Sequence, residues 1–434
     1  MEGFIMKKFL LLLILASSML IAQQTIEKGN VIFIHPDGTG SASWNAARVL
    51  FVGPDGLLNW DKFTNIGLYR SHMKNSLGAS SHSGATVHAY GVKVEQDSYG
   101  MDGTNPLTAR SGKNKSIMHE AMEAGIRVGI VNTGNVIEPG SAVFVASSES
   151  RKNSEEITKK VIESGADLIF CGGEEWMLPE GVKGFHTDSG KRTDGINLIE
   201  KAAELGYVII YNKEQLESLS REVKKVLGVF AANHTFNDKV EEELTERGLP
   251  LYQEQAPSFA EMVNAAITIL SANGEQFFLV AEEEATDNFG NKNNAIGTLT
   301  AHKKADDAFG VAMEFIENNP NTLLITASDS EASGMELIGY PEEYMPSDKV
   351  LPATDRNGAP IDGVNGSESL PFISAPDKNG NTFPFGIIWS SNSDLYGGVI
   401  AKSMGLNAHL MKLNFDNTDV YRMMYATLFG VYLD

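Results

Sequence analysis

Short apolar runs rich in β-branched and aromatic residues recur along the whole chain, and several of them stop at an acid or an amide. The clearest is Asn30-Val-Ile-Phe-Ile-His-Pro-Asp-Gly-Thr-Gly40. Its apolar stretch reads as a buried strand. Pro36 breaks the run, and Asp37 stands between that break and a Gly-Thr-Gly turn. Comparable runs fall at 64–69, 127–131, 167–171, 207–211, 226–232, 276–281, 322–327, 385–389 and 398–401. Helical stretches lie among them at 116–125, 148–165, 196–205, 258–272 and 293–318, and a closing helix begins at Asp416. Such alternation predicts an α/β fold: a large, mostly parallel central sheet covered on both faces, a three-layer αβα sandwich.

The chain of 434 residues has no linker, repeat or low-complexity tract, so residues 23–434 read as one domain. Residues 334–382, dominated by glycine, proline and charge, read as a long, lid-like surface excursion. Lys7-Lys8 followed by the apolar stretch Phe9–Ala16, with a small residue at Ala22, reads as a signal peptide over 1–22. The expected location is therefore secreted or periplasmic, with no membrane span after cleavage. Cys171 is the single cysteine, which excludes an intrachain disulfide and thiolate metal clusters. A formal net charge of -21 argues against nucleic acid as a partner.

In a parallel sheet, ligands gather outside the carboxyl ends of the strands. The candidates standing there are Asp37, Glu138, Glu282, Asp287, Asp329 and Asn392. Brought to one edge, their carboxylates would repel one another, and shared cations relieve that repulsion. An all-oxygen set favours hard ions such as Mg²⁺ or Ca²⁺. Each acid taken alone is equally a helix cap or a solvated turn residue. Ser81, in the small-residue stretch 76–87, is either a nucleophile at a helix N-terminus or an N-cap. Arg151 reads as lying in the first turn of the 148–165 helix, where it opposes the macrodipole unless an anion compensates.

Taken together in order and spacing, these features resemble the alkaline phosphatase family over essentially the whole mature length. The carriers are Pro36-Asp37-Gly38-Thr39-Gly40, Ser81-His-Ser-Gly-Ala-Thr86 with Gly91-Val-Lys93, Glu282 with Asp287, Ser328-Asp329 with Glu331 and Gly334, and Asn417-Thr418-Asp419. The resemblance implies that Asp37 bridges two of three metals, that Ser81 is phosphorylated and that Arg151 clamps two phosphate oxygens. It makes Glu282 a magnesium ligand, and Asp287 and Asp329 ligands of two zinc sites. Asn291, Ser330 and Asn392 stand where the family's metal-binding histidines are expected, Glu138 replaces a threonine of the magnesium site, and Ser80 replaces an aspartate. The nine histidines of the chain are expected to fall elsewhere; His82, beside Ser81, reads as a ligand, a base or a packed residue.

The function implied is a secreted phosphomonoesterase acting through a phosphoserine, with divalent cations: Mg²⁺ or Ca²⁺ by the donors present, zinc by the resemblance. A small phosphoester is the implied substrate, and a homodimer is compatible with the family. Two alternatives stay open at this point. One is a metal- or phosphate-binding protein of the same fold with impaired turnover, the other a hydrolase of diesters or sulfate esters.

Overall fold

The computed structural model describes residues 26–340 and 349–434. The predicted leader at 1–22 lies outside these residues. Eight strands of the main sheet are β1 (Asn30–Pro36), β2 (Asn65–Arg70), β3 (Arg127–Asn135), β4 (Leu168–Gly172), β5 (Val208–Ile210), β6 (Val226–Val229), β7 (Phe277–Glu283) and β8 (Thr322–Thr326). With Ile400–Gly405 and Asn414–Asp416 they form a ten-stranded sheet. Its order is 414–416, β2, 400–405, β8, β1, β7, β3, β4, β6, β5. Strand 400–405 runs antiparallel to both neighbours, and every other pairing in this sheet is parallel.

Alternating residues of β1 serve two separate cores. Val31 and Phe33 pack with the helices Ser81–Tyr90, Ile117–Glu123, Ser154–Ile162 and Asn417–Phe429. Ile32 and Ile34 pack with Ser41–Phe51, Phe259–Leu270 and Ala295–Asn318 on the opposite face. The two-residue period of a strand thus builds the three layers directly. Helix Phe259–Leu270 starts where its sequence dictates: Ser258 Oγ accepts from the Glu261 amide at 3.3 Å, and the Glu261 carboxylate accepts from the Ser258 amide at 2.7 Å.

Two expectations change. Strand Pro384–Trp389 does not join the main sheet. It centres a five-stranded antiparallel sheet with Met335–Gly339, Ile361–Gly363, Gly366–Ser367 and Phe372–Ile373. Much of the expected surface excursion is therefore ordered, and Phe372, Phe385, Ile387 and Trp389 bury into the second core. Residues 341–348 of that excursion lie outside the described region. The predicted helix 148–165 begins only at Ser154, so Arg151 sits in the preceding turn and does not oppose a helix dipole.

Candidate active site

The centre of the sheet aligns the site by register. β1 and β7 pair His35 with Glu282, and β7 and β3 pair Glu282 with Asn132. On the other side Ile34 pairs with Thr326, so Ala327 to Asp329 leave β8 beside His35 and Asp37. Five carboxylates predicted from four strand ends come together at this edge: Asp37, Glu138, Glu282, Asp287 and Asp329, each at most 8 % exposed.

Each is fixed by local structure. Asp37 Oδ1 accepts from the Gly38 amide at 2.9 Å, while Oδ2 is bare. Glu282 accepts from the Gly140 amide at 2.9 Å and from the Asn132 side chain. Glu138 stands just ahead of a short helix, Pro139–Ala142, and its carboxylate meets Arg151 at 3.2 Å. Asp287 and Asn291 lie one turn apart on helix Ala285–Asn291 and touch at 3.0 Å. Asp329 packs against Gly84 of the helix that Ser81 begins. A Cβ at Gly84 would stand 2.3 Å from Asp329 Cβ, so this approach requires glycine. Neither Asp329 oxygen has a hydrogen-bond partner among the described residues, nor does the hydroxyl of the fully buried Ser330.

Such bare acceptors are expensive: a buried polar group left unsatisfied costs about 1–3 kcal/mol, and more when charged. The proton affinities record the same conflict. Burial, added to repulsion from Asp37, lifts Asp329 well above the carboxylate range. Burial lifts Asp287 likewise, with Asp394 and Asp37 adding to it. Burial pushes Glu138 up to about 7 against the pull of Arg151, and pushes Glu282 up to about 7 against the pull of His35. Asp37 alone in the nest is held below its ordinary value: burial opposes this, but the neighbouring Asp329, His35 and Ser81 side chains outweigh it. A nest that cannot ionise fully by itself, with bare oxygens turned inward, fits divalent cations in number and chemistry. Two groups have ligand atoms within 4.8 Å of one another: His35, Asp37 and Glu282; and Asp37, Glu284 and Asp287.

Ser81 is the first residue of helix Ser81–Tyr90, is 9 % exposed and lies within hydrogen-bonding reach of Asp37. Its neighbour His82 turns Nε2 to Asp97 at 3.1 Å, and burial together with Arg151 lowers its pKa to about 4.

The remaining candidates take different places. Asn392 is exposed. Asp394, two residues on, reaches the cluster instead, accepting from Asn291 at 2.9 Å, and its backbone pairs with residue 332. The glycine- and serine-rich turn here has no apolar period from which to count register. Asn291 turns its amide nitrogen to Asp287 and Asp394, and its oxygen accepts from Ser333 at 3.2 Å. One histidine enters the nest, His35, near the end of β1 and two residues before Asp37; its place in an apolar run conceals it. Glu284 joins the nest as well, and its signal is that it directly follows Glu283 at the end of β7.

A serine opening a helix at the edge of a nest of buried carboxylates is an arrangement suited to metal-dependent phosphoester chemistry. Known proteins agree. The sequence model described as alkaline phosphatase matches residues 28–360. Alkaline phosphatase of Gadus morhua is 25% identical over 465 aligned residues, covering 94% of this chain and 94% of the relative. Alkaline phosphatase of Escherichia coli is 26% identical over 332, covering 69% of each. Among solved structures, alkaline phosphatase from the Antarctic bacterium TAB5 superposes with a TM-score of 0.70 at 20% identity, covering 93% of this chain and 99% of that one. That of Thermus thermophilus gives 0.71 at 21%, covering 95% and 96%. The chain belongs to the alkaline phosphatase family. Lys93 and Asn417, which carried part of the resemblance, meet at 2.6 Å; they tie the turn after helix Ser81–Tyr90 to the closing helix and lie outside the nest.

Proposed function

We propose that this protein is an exported, metal-dependent phosphomonoesterase that turns over through a phosphoserine at Ser81. The observation that carries the reading is the nest of buried, unpartnered carboxylate oxygens facing a serine at a helix N-terminus. Asp37, Glu138 and Glu282 would hold one cation; Asp37, Asp329 and Ser330 a second; Asp287, Asp394 and Asn291, after its amide turns over, a third. When bound, the cations supply charge neutralisation, a more acidic serine and water, and polarisation of the phosphoryl oxygens.

The chain's own residues do the rest. The unpaired amides of the helix that starts at Ser81 face the equatorial phosphate oxygens. Arg151, its side chain 47% exposed, is free to leave Glu138 and fork onto two of those oxygens. Asp37, beside Ser81, would take a hydrogen bond from its hydroxyl and aim Oγ at phosphorus. In-line attack forms the Oγ–P bond and breaks the ester P–O bond; the Ser81 proton passes to solvent water, and the leaving alkoxide takes a proton back from water and departs as the alcohol. Water then cleaves phosphoserine, releasing phosphate and restoring Ser81.

The abundance of oxygen donors supports Mg²⁺ or Ca²⁺ in at least part of the nest. A TAB5 alkaline phosphatase variant with a histidine replaced by aspartate is described with Mg bound in its M3 site. Export to the periplasm or medium rests on the leader at 1–22, and no helix among the described residues is long and apolar enough to cross a membrane.

The test is reconstitution. Metal-stripped protein receives Ca²⁺, Mg²⁺, Mn²⁺ or Zn²⁺ separately and is assayed on an aryl phosphate beside Ser81→Ala. Restoration by at least one ion in wild type alone is expected. No restoration above Ser81→Ala defeats the monoesterase reading, and zinc filling every site defeats its hard-cation part. Parallel aryl diester and sulfate substrates expose a shifted specificity.

A further inference from the structure

His35 has no part in the motifs that mark the family in this chain, yet its surroundings are those of a metal ligand. It is the last residue but one of β1, and Asp37 opens the turn that follows the strand. Register places the Ala327 carbonyl beside the ring, and His35 Nδ1 bonds to it at 2.7 Å. A carbonyl only accepts, so Nδ1 carries a proton, and in the neutral ring Nε2 holds the lone pair. Nε2 is fully buried and has no hydrogen-bond partner among the described residues. It lies 3.4 Å from Asp37 Oδ1, 3.9 Å from Asp329 Oδ1 and within 4.8 Å of a Glu282 carboxylate oxygen. A good N–H···O bond spans about 2.7–3.2 Å. The 3.4 Å gap is instead close to the edge joining two ligands that each sit about 2.0–2.2 Å from one ion. Glycine at 140 keeps the place open: a Cβ there would stand 2.2 Å from Glu282 Oε1 and 2.6 Å from the His35 ring.

We propose that His35 Nε2 is a ligand of the cation held by Asp37 and Glu282, so that this chain carries its imidazole donor on β1 and not at positions 291, 330 or 392. The inference rests on the reading of the nest as a cation site. The Nδ1–H···O=C bond is the outer-sphere anchor that metal-bound histidines characteristically have. A mixed nitrogen and oxygen set shifts this one position from Ca²⁺ towards Mn²⁺, Co²⁺ or Zn²⁺, while the Asp287–Asp394 position stays all-oxygen. The competing arrangement is a protonated Nε2 donating to Asp37 with no metal bond.

Pulsed EPR on the full chain loaded with Mn²⁺ separates the two. Histidine nitrogen coupling to Mn²⁺ is expected, moved to the ¹⁵N frequencies when histidine is ¹⁵N-labelled. His35→Gln abolishes the coupling and weakens Mn²⁺ binding about 10–100-fold. His82→Gln and His88→Gln leave it unchanged. Bound Mn²⁺ without nitrogen coupling in wild type overturns the proposal, and that result needs no variant to fold. So does coupling that survives His35→Gln or disappears in His82→Gln or His88→Gln. Mn²⁺, Mg²⁺ and Zn²⁺ all failing to bind would overturn the cation reading itself, whereas metal-restored turnover without nitrogen coupling overturns only the role of His35.

Discussion

Asp37 is the single carboxylate of the nest whose neighbours keep it ionised, and the others are raised around it. It therefore attracts the first cation, and Asp37→Asn should lower metal stoichiometry as well as activity, read by elemental analysis of the purified variant. Gly84 bears on the same geometry from behind. Gly84→Ala puts a methyl 2.3 Å from Asp329 Cβ, within a helix that cannot yield. A cost of about 1–3 kcal/mol in thermal or urea unfolding is expected, with loss of activity beyond what stability explains. On the proposed function, Arg151, half-exposed beside Glu138, acts on the ligand and not on the fold. Arg151→Ala should reduce kcat/KM by about 10²–10³-fold and leave the melting temperature nearly unchanged. Arg151→Lys should recover little, since an ammonium cannot make the two-point contact.

At the scale of elements, the strands are readable because β1, β3, β7 and β8 are buried on both faces and their apolar runs are nearly unbroken. Their carboxyl ends deliver Asp37, Glu282 and Asp329 to one edge, as position in a parallel sheet requires. What stays hidden has physical causes. His35 sits inside an apolar run and looks like part of the strand. The segment 390–394 has neither helical nor strand period, so the exposed Asn392 cannot be told from Asp394 without the pairing of 394–395 with 331–332. The polar neighbours of Arg151 fit a helix, whereas the helix starts at Ser154. The contrast between the two candidates in the 390–394 turn is directly measurable. Asn392→Ala should leave metal content and turnover at wild-type level, while Asp394→Ala lowers both.

For the whole molecule, the nest couples folding to pH and metal. In the metal-free protein Glu138 and Glu282 are pushed up to about 7, and Asp287, Asp329 and Glu284 are raised as well, whereas such acids titrate near about 4 in an unfolded chain. Between those values the folded state binds more protons than the unfolded one, so their contribution is full below about pH 4 and is lost as pH rises through about 7. Asp37 has the opposite sign, and its contribution is lost only in acid. The melting temperature of chelator-treated protein should therefore fall from about pH 5 to about pH 8, and saturating divalent cation should flatten that slope; a pH-independent melt of the stripped protein would contradict the nest as described. The proposed function puts covalent chemistry at Ser81. Acid quenching of the metal-loaded enzyme during turnover of an aryl phosphate, followed by peptide mass spectrometry, detects it. One phosphoryl group on Ser81 is expected, absent from Ser81→Ala and from metal-stripped protein; turnover with no phosphoryl group on Ser81, or with one on another residue, would contradict a phosphoserine route through this residue.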